Sequence, residues 1–254
     1  MPAPLIAIVM AMEAEAAPLR DAMGATPVDR PAWAESLPPA VWHTAAAPGG
    51  AEVILVVNGT DPRTGVDCIG TTAAALATQV ALDRCRTLGG RLPDLLLSVG
   101  TAGGWQRAEA SIGDVYLAWD RFVCHDRRID LPGFDAFGRG DLPAADLRHH
   151  AETRGCRLGI VTTGDSLDES PEDAARIVAS GAEVKEMEAA AVAWVAHLHD
   201  VPVGAVKAIT DHVDHPAPTA EQFTGNLAAA AAALRETTVA LLERLGTDQD
   251  GSER

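Results

Sequence analysis

The chain lacks the cysteine spacings that mark a stapled or metal-bound module. Cys68, Cys85, Cys124 and Cys156 form no CxxC pair and no Cys/His zinc pattern, so they read as reduced thiols of a cytoplasmic protein. An excess of positive charge is also missing. With 20 Lys and Arg against 36 Asp and Glu, the formal net charge is −16, which disfavours nucleic acid or an anionic membrane surface as a partner. No apolar run is long enough to span a bilayer. The opening "MPAPLIAIVMAMEAEA" has no basic start and is broken by Glu13, so it reads as a buried strand leading into a helix, not as a secretion signal. There is no GxGxxG after the first strand, no GxxxxGK[ST], no GxSxG and no HExxH. Dinucleotide binding, a P-loop, a serine nucleophile elbow and a zinc-protease helix therefore have no support. No metal or organic cofactor is implied.

What is present is an ordinary globular composition over 254 residues, 47% hydrophobic and 22% charged, enough for one large α/β domain. Short apolar runs bounded by turn signals predict strands at 5–10, 52–57, 94–99, 114–118, 157–162 and 203–209, with a short one near 182–185. Helical patterns fall between them at 13–23, 70–88, 171–179, 187–198 and 220–245. This alternation predicts a single three-layer α/β/α domain over 1–246 with a mostly parallel, mixed central sheet, followed by a polar tail at 247–254. Segments 24–50 and 127–143, rich in Pro, Gly and small residues, read as loops. The second is long for a compact domain, a feature of functional loops.

Ligands of open α/β sheets bind beyond the carboxyl ends of the strands. The polar residues there are mostly acids: Glu13 and Glu15 in "AMEAEA", Asp165 and Asp168 in "TGDSLDES", Asp211 in "TDHVD" and Glu188 in "EMEAAAVA", beside the glycine turn "GTAGG". Each has a structural alternative. Glu13, Glu15, Glu186 and Glu188 suit helix N-termini, and Asp211 suits an Asx turn or cap. Asp165 fits a structural Gly-Asp turn, and His125 in "VCHDRR" fits a satisfied histidine beside Asp126. Against the dipole reading of Glu188, its helix is apolar on nearly every side. A buried carboxylate there needs a partner such as a ligand's hydroxyls. Convergent carboxylates suit acid/base work on a neutral, hydroxyl-bearing substrate.

The segments "AMEAEA", "GTAGG", "IGDVYLAWDRFVCHD", "TGDSLDES", "EMEAAAVA" and "KAITD", in this order, resemble the 5′-methylthioadenosine/S-adenosylhomocysteine nucleosidases of the purine nucleoside phosphorylase/hydrolase superfamily. "GVDCIGTTAAALAT", "HDRRIDLPGFDAFGRG" and "DHPAPTAEQF" are similar to the plant-type branch. The resemblance covers about 5–245 and implies a nucleoside phosphorylase-like fold. It also implies hydrolysis of the N-glycosidic bond of a 5′-thio-substituted adenosine to adenine and 5-thioribose, in methionine salvage.

It further implies site roles at matching positions. Glu15 would activate water and Asp211, helped by Thr210, would protonate purine N7. Met187 and Glu188 would hold the ribose, Glu188 through the 2′- and 3′-hydroxyls. Leu167 would lie on the adenine face and backbone near Asp168 would meet the purine edge. Met12, Thr101, Ala102 and Gly103 would complete the pocket, Thr101 near the water. A homodimer is implied, in which Phe134 or Phe137 closes the neighbour's 5′-thio pocket, although both also suit core anchors. Competing expectations are another purine nucleoside such as a futalosine-type intermediate, phosphorolysis, and a catalytically silent nucleoside-binding protein.

Overall fold

The computed structural model describes residues 3–247. In chain order its strands are β1 (Leu5–Met10), β2 (Thr26–Val28), β3 (Ala40–Thr44), β4 (Glu52–Val57), β5 (Leu95–Gly104), β6 (Val115–Cys124), β7 (Leu142–Pro143), β8 (Arg157–Thr163), β9 (Val184–Glu186) and β10 (Val203–His212). The helices are α1 (Glu13–Met23), α2 (Thr71–Leu88), α3 (Asp135–Arg139), α4 (Arg148–Arg154), α5 (Pro171–Ser180), α6 (Ala189–Leu198) and α7 (Thr219–Thr247). The expected polar tail beyond Thr247 lies outside the described residues.

β1 is buried at all six positions, as a strand covered on both faces must be. Its side chains divide by parity. Leu5, Ala7 and Val9 enter a core with Ala74, Ala77, Val80 and Ala81 of α2 and with α6. Ile6, Ile8 and Met10 enter a second core with Leu19 and Met23 of α1 and Leu234, Leu241 and Leu242 of α7. Two helical layers therefore flank the sheet around β1. The apolar sequence of α6 reflects burial in the first of these cores, and its large hydrophobic side chains that reach the surface are Trp194 and Leu198.

The expectation of a three-layer sandwich with a mostly parallel sheet is met only as a single mixed α/β domain. The ten-stranded sheet runs β10-β6-β8-β9-β5-β1-β4-β3-β2, with β7 paired to β6 off this path, and β10 also pairs with β5. The strands β5, β9, β8, β6 and β10 thus close into a ring, with β1, β4, β3 and β2 extending from it as an open arm. Five of the ten described pairings are parallel and five antiparallel. The segment 24–50, expected as loop, contributes β2 and β3 to the far edge, and 127–143 contains α3 and β7. Ring closure requires β5, β6 and β10 to run on past their apolar cores. Each is ten residues long, and the added carboxyl-terminal halves carry the polar positions described next.

Candidate active site

β5 forms the floor of the site. Glu15, in the first turn of α1, is buried at 3% exposure because its carboxylate folds onto β5 and accepts the Thr101 N–H at 2.8 Å, and also the Thr101 hydroxyl. Two residues on, Gly103 pairs with Asp211 of β10. A Cβ at Gly103 would lie 2.7 Å from Asp211 Oδ2, so glycine is needed for the carboxylate to lie across the strand. Between Ile209 and Asp211 the β10 register slips by one residue against β5. Neighbours on a regular strand face opposite sides, but this bulge lets both Thr210 and Asp211 reach one cavity. The Thr210 hydroxyl donates to Asp211 Oδ1 at 2.8 Å. Burial nevertheless holds the Asp211 carboxyl above its ordinary range, against the opposing pull of that hydroxyl.

The two carboxylates that open α6 have separate tasks. Glu186 is the dipole partner, accepting the N–H of Glu188 at 3.0 Å and of Ala189 at 2.9 Å, together with the Thr163 hydroxyl. It also forms a buried ion pair with Lys207 at 2.8 Å. Glu188, which lines the cavity as Glu186 does, takes no part in this capping and accepts the Gly70 N–H at 2.9 Å. Burial, reinforced by the Glu186 charge, pushes the Glu188 carboxyl up to about 7. Lys207 donates to Ser98 Oγ at 3.1 Å. Its burial favours the neutral amine, but Glu186 and Glu188 outweigh it and keep the ammonium form above its usual range.

A third wall is formed by Ser166 and Leu167. Lys185 is 7% exposed and its ammonium donates to the carbonyls of Leu167 at 2.6 Å and Asp168 at 3.1 Å, with Ser166 at 3.5 Å. Burial lowers its pKa. Leu167 lines the cavity, whereas Asp168 lies outside the lining, with its carbonyl bonded to Lys185.

The enclosed space is about 570 Å³, within the range of small-molecule sites. Met12, Glu15, Thr101, Ala102, Gly103, Leu167, Met187, Glu188, Thr210 and Asp211 all line it. Phe134 does not. It lies at a separate cavity with Arg127 and Arg139, edge-to-face with Phe137 at 6.5 Å between centroids. Phe134 and Phe137 are 43% and 50% exposed, so neither is a core anchor. His125 is buried with its Nδ1 3.1 Å from Thr162 Oγ1, and burial followed by the Lys185 charge lowers its pKa. Its partner is a threonine, not the Asp126 expected from adjacency. Among the described residues no three His, Cys, Asp or Glu side chains group as metal ligands.

Sequence reasoning missed Lys185, Lys207, Ser98 and the apolar lining from Val66, Ile69, Val213 and Phe223. A signal for the lysines was available. They are the only two in the chain, whose other 18 cationic residues are arginines, and both are buried at this site.

A family model described as the phosphorylase superfamily matches residues 5–243. The chain is 37% identical over 237 residues to a 5′-methylthioadenosine nucleosidase of Arabidopsis thaliana, covering 93% of this chain and 85% of that relative. A second Arabidopsis thaliana protein, a 5′-methylthioadenosine/S-adenosylhomocysteine nucleosidase, is 38% identical over 74% of this chain and 72% of its own. The apo structure of Arabidopsis thaliana 5′-methylthioadenosine nucleosidase superposes with a TM-score of 0.88 at 36% identity, covering 96% of this chain and 97% of that one.

Proposed function

The chain belongs to the 5′-methylthioadenosine/S-adenosylhomocysteine nucleosidase family of the phosphorylase superfamily, and on that premise we propose that it hydrolyses the N-glycosidic bond of 5′-methylthioadenosine, releasing adenine and 5-methylthioribose. S-adenosylhomocysteine is the second substrate to test. The observation that carries this reading is the pairing of Glu15 and Asp211 along β5. They engage Thr101 and Gly103, positions about 7 Å apart along the strand, beside Glu188 in one cavity. Carboxyls set apart in this way leave room for a water and a glycosidic bond between base and acid.

Glu15 takes a proton from the attacking water, which Thr101 helps to orient. Asp211, whose proton affinity burial raises and which Thr210 orients, delivers a proton to purine N7 as the bond breaks. Negative charge on the leaving adenine is thereby neutralised as it develops. Glu188 accepts the 2′- and 3′-hydroxyls beside Met187, which supplies the partner its buried carboxylate needs. Leu167 covers the adenine face, and the backbone at Asp168, held by Lys185, meets the purine edge. Water is preferred to phosphate because both cations in the lining are already committed, Lys207 to Glu186 and Lys185 to three carbonyls. A phosphate would have no unpaired positive partner there.

The test is adenine release from 5′-methylthioadenosine and from S-adenosylhomocysteine, each with and without phosphate, followed by chromatography. Phosphate-independent adenine is expected from the first. Glu15→Gln and Asp211→Asn should each lower the rate by about 10²–10⁴-fold without loss of folding. Dependence on phosphate would turn the reading to phosphorolysis.

The proposal includes a cytoplasmic homodimer acting in methionine salvage, in which the exposed Phe134 and Phe137 cover the partner's 5′-thio pocket. Sedimentation should then give twice the 26.4 kDa chain mass. Phe134→Ala should raise KM in proportion to lost pocket cover, and a monomeric, fully active protein would remove the pair from the site.

A further inference from the structure

Asp165 stands outside the cavity wall, yet it fastens together two elements that bear on it. Its carboxylate accepts the Thr71 N–H at 2.7 Å through Oδ1 and the Thr71 hydroxyl at 2.6 Å through Oδ2. Its own N–H donates to Asp126 Oδ2 at 2.6 Å, which anchors it from the end of β6. Thr71 is the first residue of α2, and the N-cap before it is Gly70, which has no side chain to cap with. Asp165 therefore caps α2 from a segment 94 residues away in sequence. The approach is close, since a Cβ on Gly70 would lie 2.6 Å from Asp165 Oδ1, and Gly70 has φ +91°.

Gly70 also donates the N–H that Glu188 receives. The segment leading into it lines the cavity through Gly65, Val66, Asp67 and Ile69, while Leu167 lines it two residues after Asp165. One side chain thus ties the segment over the purine position to the segment that donates to the ribose carboxylate. We propose that Asp165 is a positioning residue for the hydrolysis: it clamps Gly70 and Thr71 so that the Gly70 N–H holds Glu188 in the orientation that receives the ribose hydroxyls. This rests on the ribose role given to Glu188 above.

A glycine with positive φ has little preference of its own for the bound geometry, so the clamp restricts Gly70. Bonds to an ionised carboxylate are the stronger class of hydrogen bond. The Gly70 N–H also favours the charged form of Glu188. Removing the clamp should therefore weaken substrate binding and move the acidic limb of the pH profile upward, whereas loss of a helix cap alone lowers stability and does neither. The charged groups facing Glu188 are Glu186, Lys207 and Glu15. None is altered by a change at Asp165, so the limb reports the Gly70 bond.

The experiment compares wild type with Asp165→Ala, Asp165→Asn and Thr71→Ala in kinetics on 5′-methylthioadenosine, and in amide hydrogen exchange at Gly70 without substrate. Asp165→Ala should raise KM about ten-fold with kcat changed less than about three-fold, shift the acidic limb upward, and speed Gly70 exchange about ten-fold. Asp165→Asn, whose amide oxygen still accepts the Thr71 N–H, should recover most of the KM and the exchange. Thr71→Ala should shift both in the same direction by less, and it carries the test if Asp165→Ala fails to fold. A lowered melting temperature with unchanged KM, limb and Gly70 exchange would overturn the clamp. If wild type releases no adenine, the proposed hydrolysis fails, and Gly70 exchange alone still decides whether Asp165 holds the Glu188 contact.

Discussion

At Glu188 a carboxyl retains its proton at a pH where surface carboxylates have lost theirs. Its pKa is raised from 4.5 to about 7, by burial first and by Glu186 second. Between those values the folded chain binds more protons than the unfolded one, so this group makes stability fall as pH rises from about 4.5 to about 7. The measurement is the melting temperature of unliganded wild type relative to Glu188→Gln across that window. The difference should move against wild type up to about pH 7 and then level, and a constant difference would show that Glu188 ionises normally. The acids at this site were legible in the sequence because strand ends preceded them. Glu188 was read as the acid that meets a ligand and it lines the cavity, but that Glu186 is the one that accepts the first N–H groups of α6 was not legible, since the two differ only in how their side chains leave the turn after β9. The hold of Lys185 on the Asp168 carbonyl, outside the cavity lining, has no local signal either, because it comes from another strand.

Among the elements, α6 depends on a buried ion pair with another strand. Glu186 compensates its first N–H groups and is itself compensated by Lys207 of β10, both side chains being at most 2% exposed. Lys207→Met leaves a buried carboxylate without its cation, a loss of about 3–5 kcal/mol, to be read by urea denaturation. Adding Glu186→Gln to Lys207→Met should recover much of that, and if the single variant were as stable as wild type the ion pair would not hold α6. β1, β4 and α1 were read from the sequence with the bounds observed, because their apolar patterns begin and end sharply at Met12, Gly24 and Asn58. β5, β6 and β10 were cut short. Their second halves are glycine-rich at Gly100–Gly104, interrupted by Asp120 at φ +65°, or polar at Thr210–His212. No apolar run marks them, because pairing around the ring holds them extended. β2 and β3 were missed because proline and alanine at the sheet's far edge read as loop.

Over the whole molecule, the alternation of strands and helices announced an α/β domain, but ring closure depends on β10 meeting both β5 and β6. That is a long-range pairing with no local signature in sequence. The same ring draws both lysines inward, where Lys185 and Lys207 are 7% and 1% exposed. The folded chain therefore offers no lysine amine at its surface, whatever its charge. An acylating reagent too bulky to enter the cavity should leave both lysines unmodified in the native protein and couple to both after denaturation. Mass spectrometry with peptide mapping, which sets aside the adduct on the α-amine, would then register opening as a step of two lysine adducts, and an adduct on Lys185 or Lys207 alone in native protein would show that one wall of the site loosens by itself. The chain thus carries its own covalent reporter of unfolding, without an introduced label.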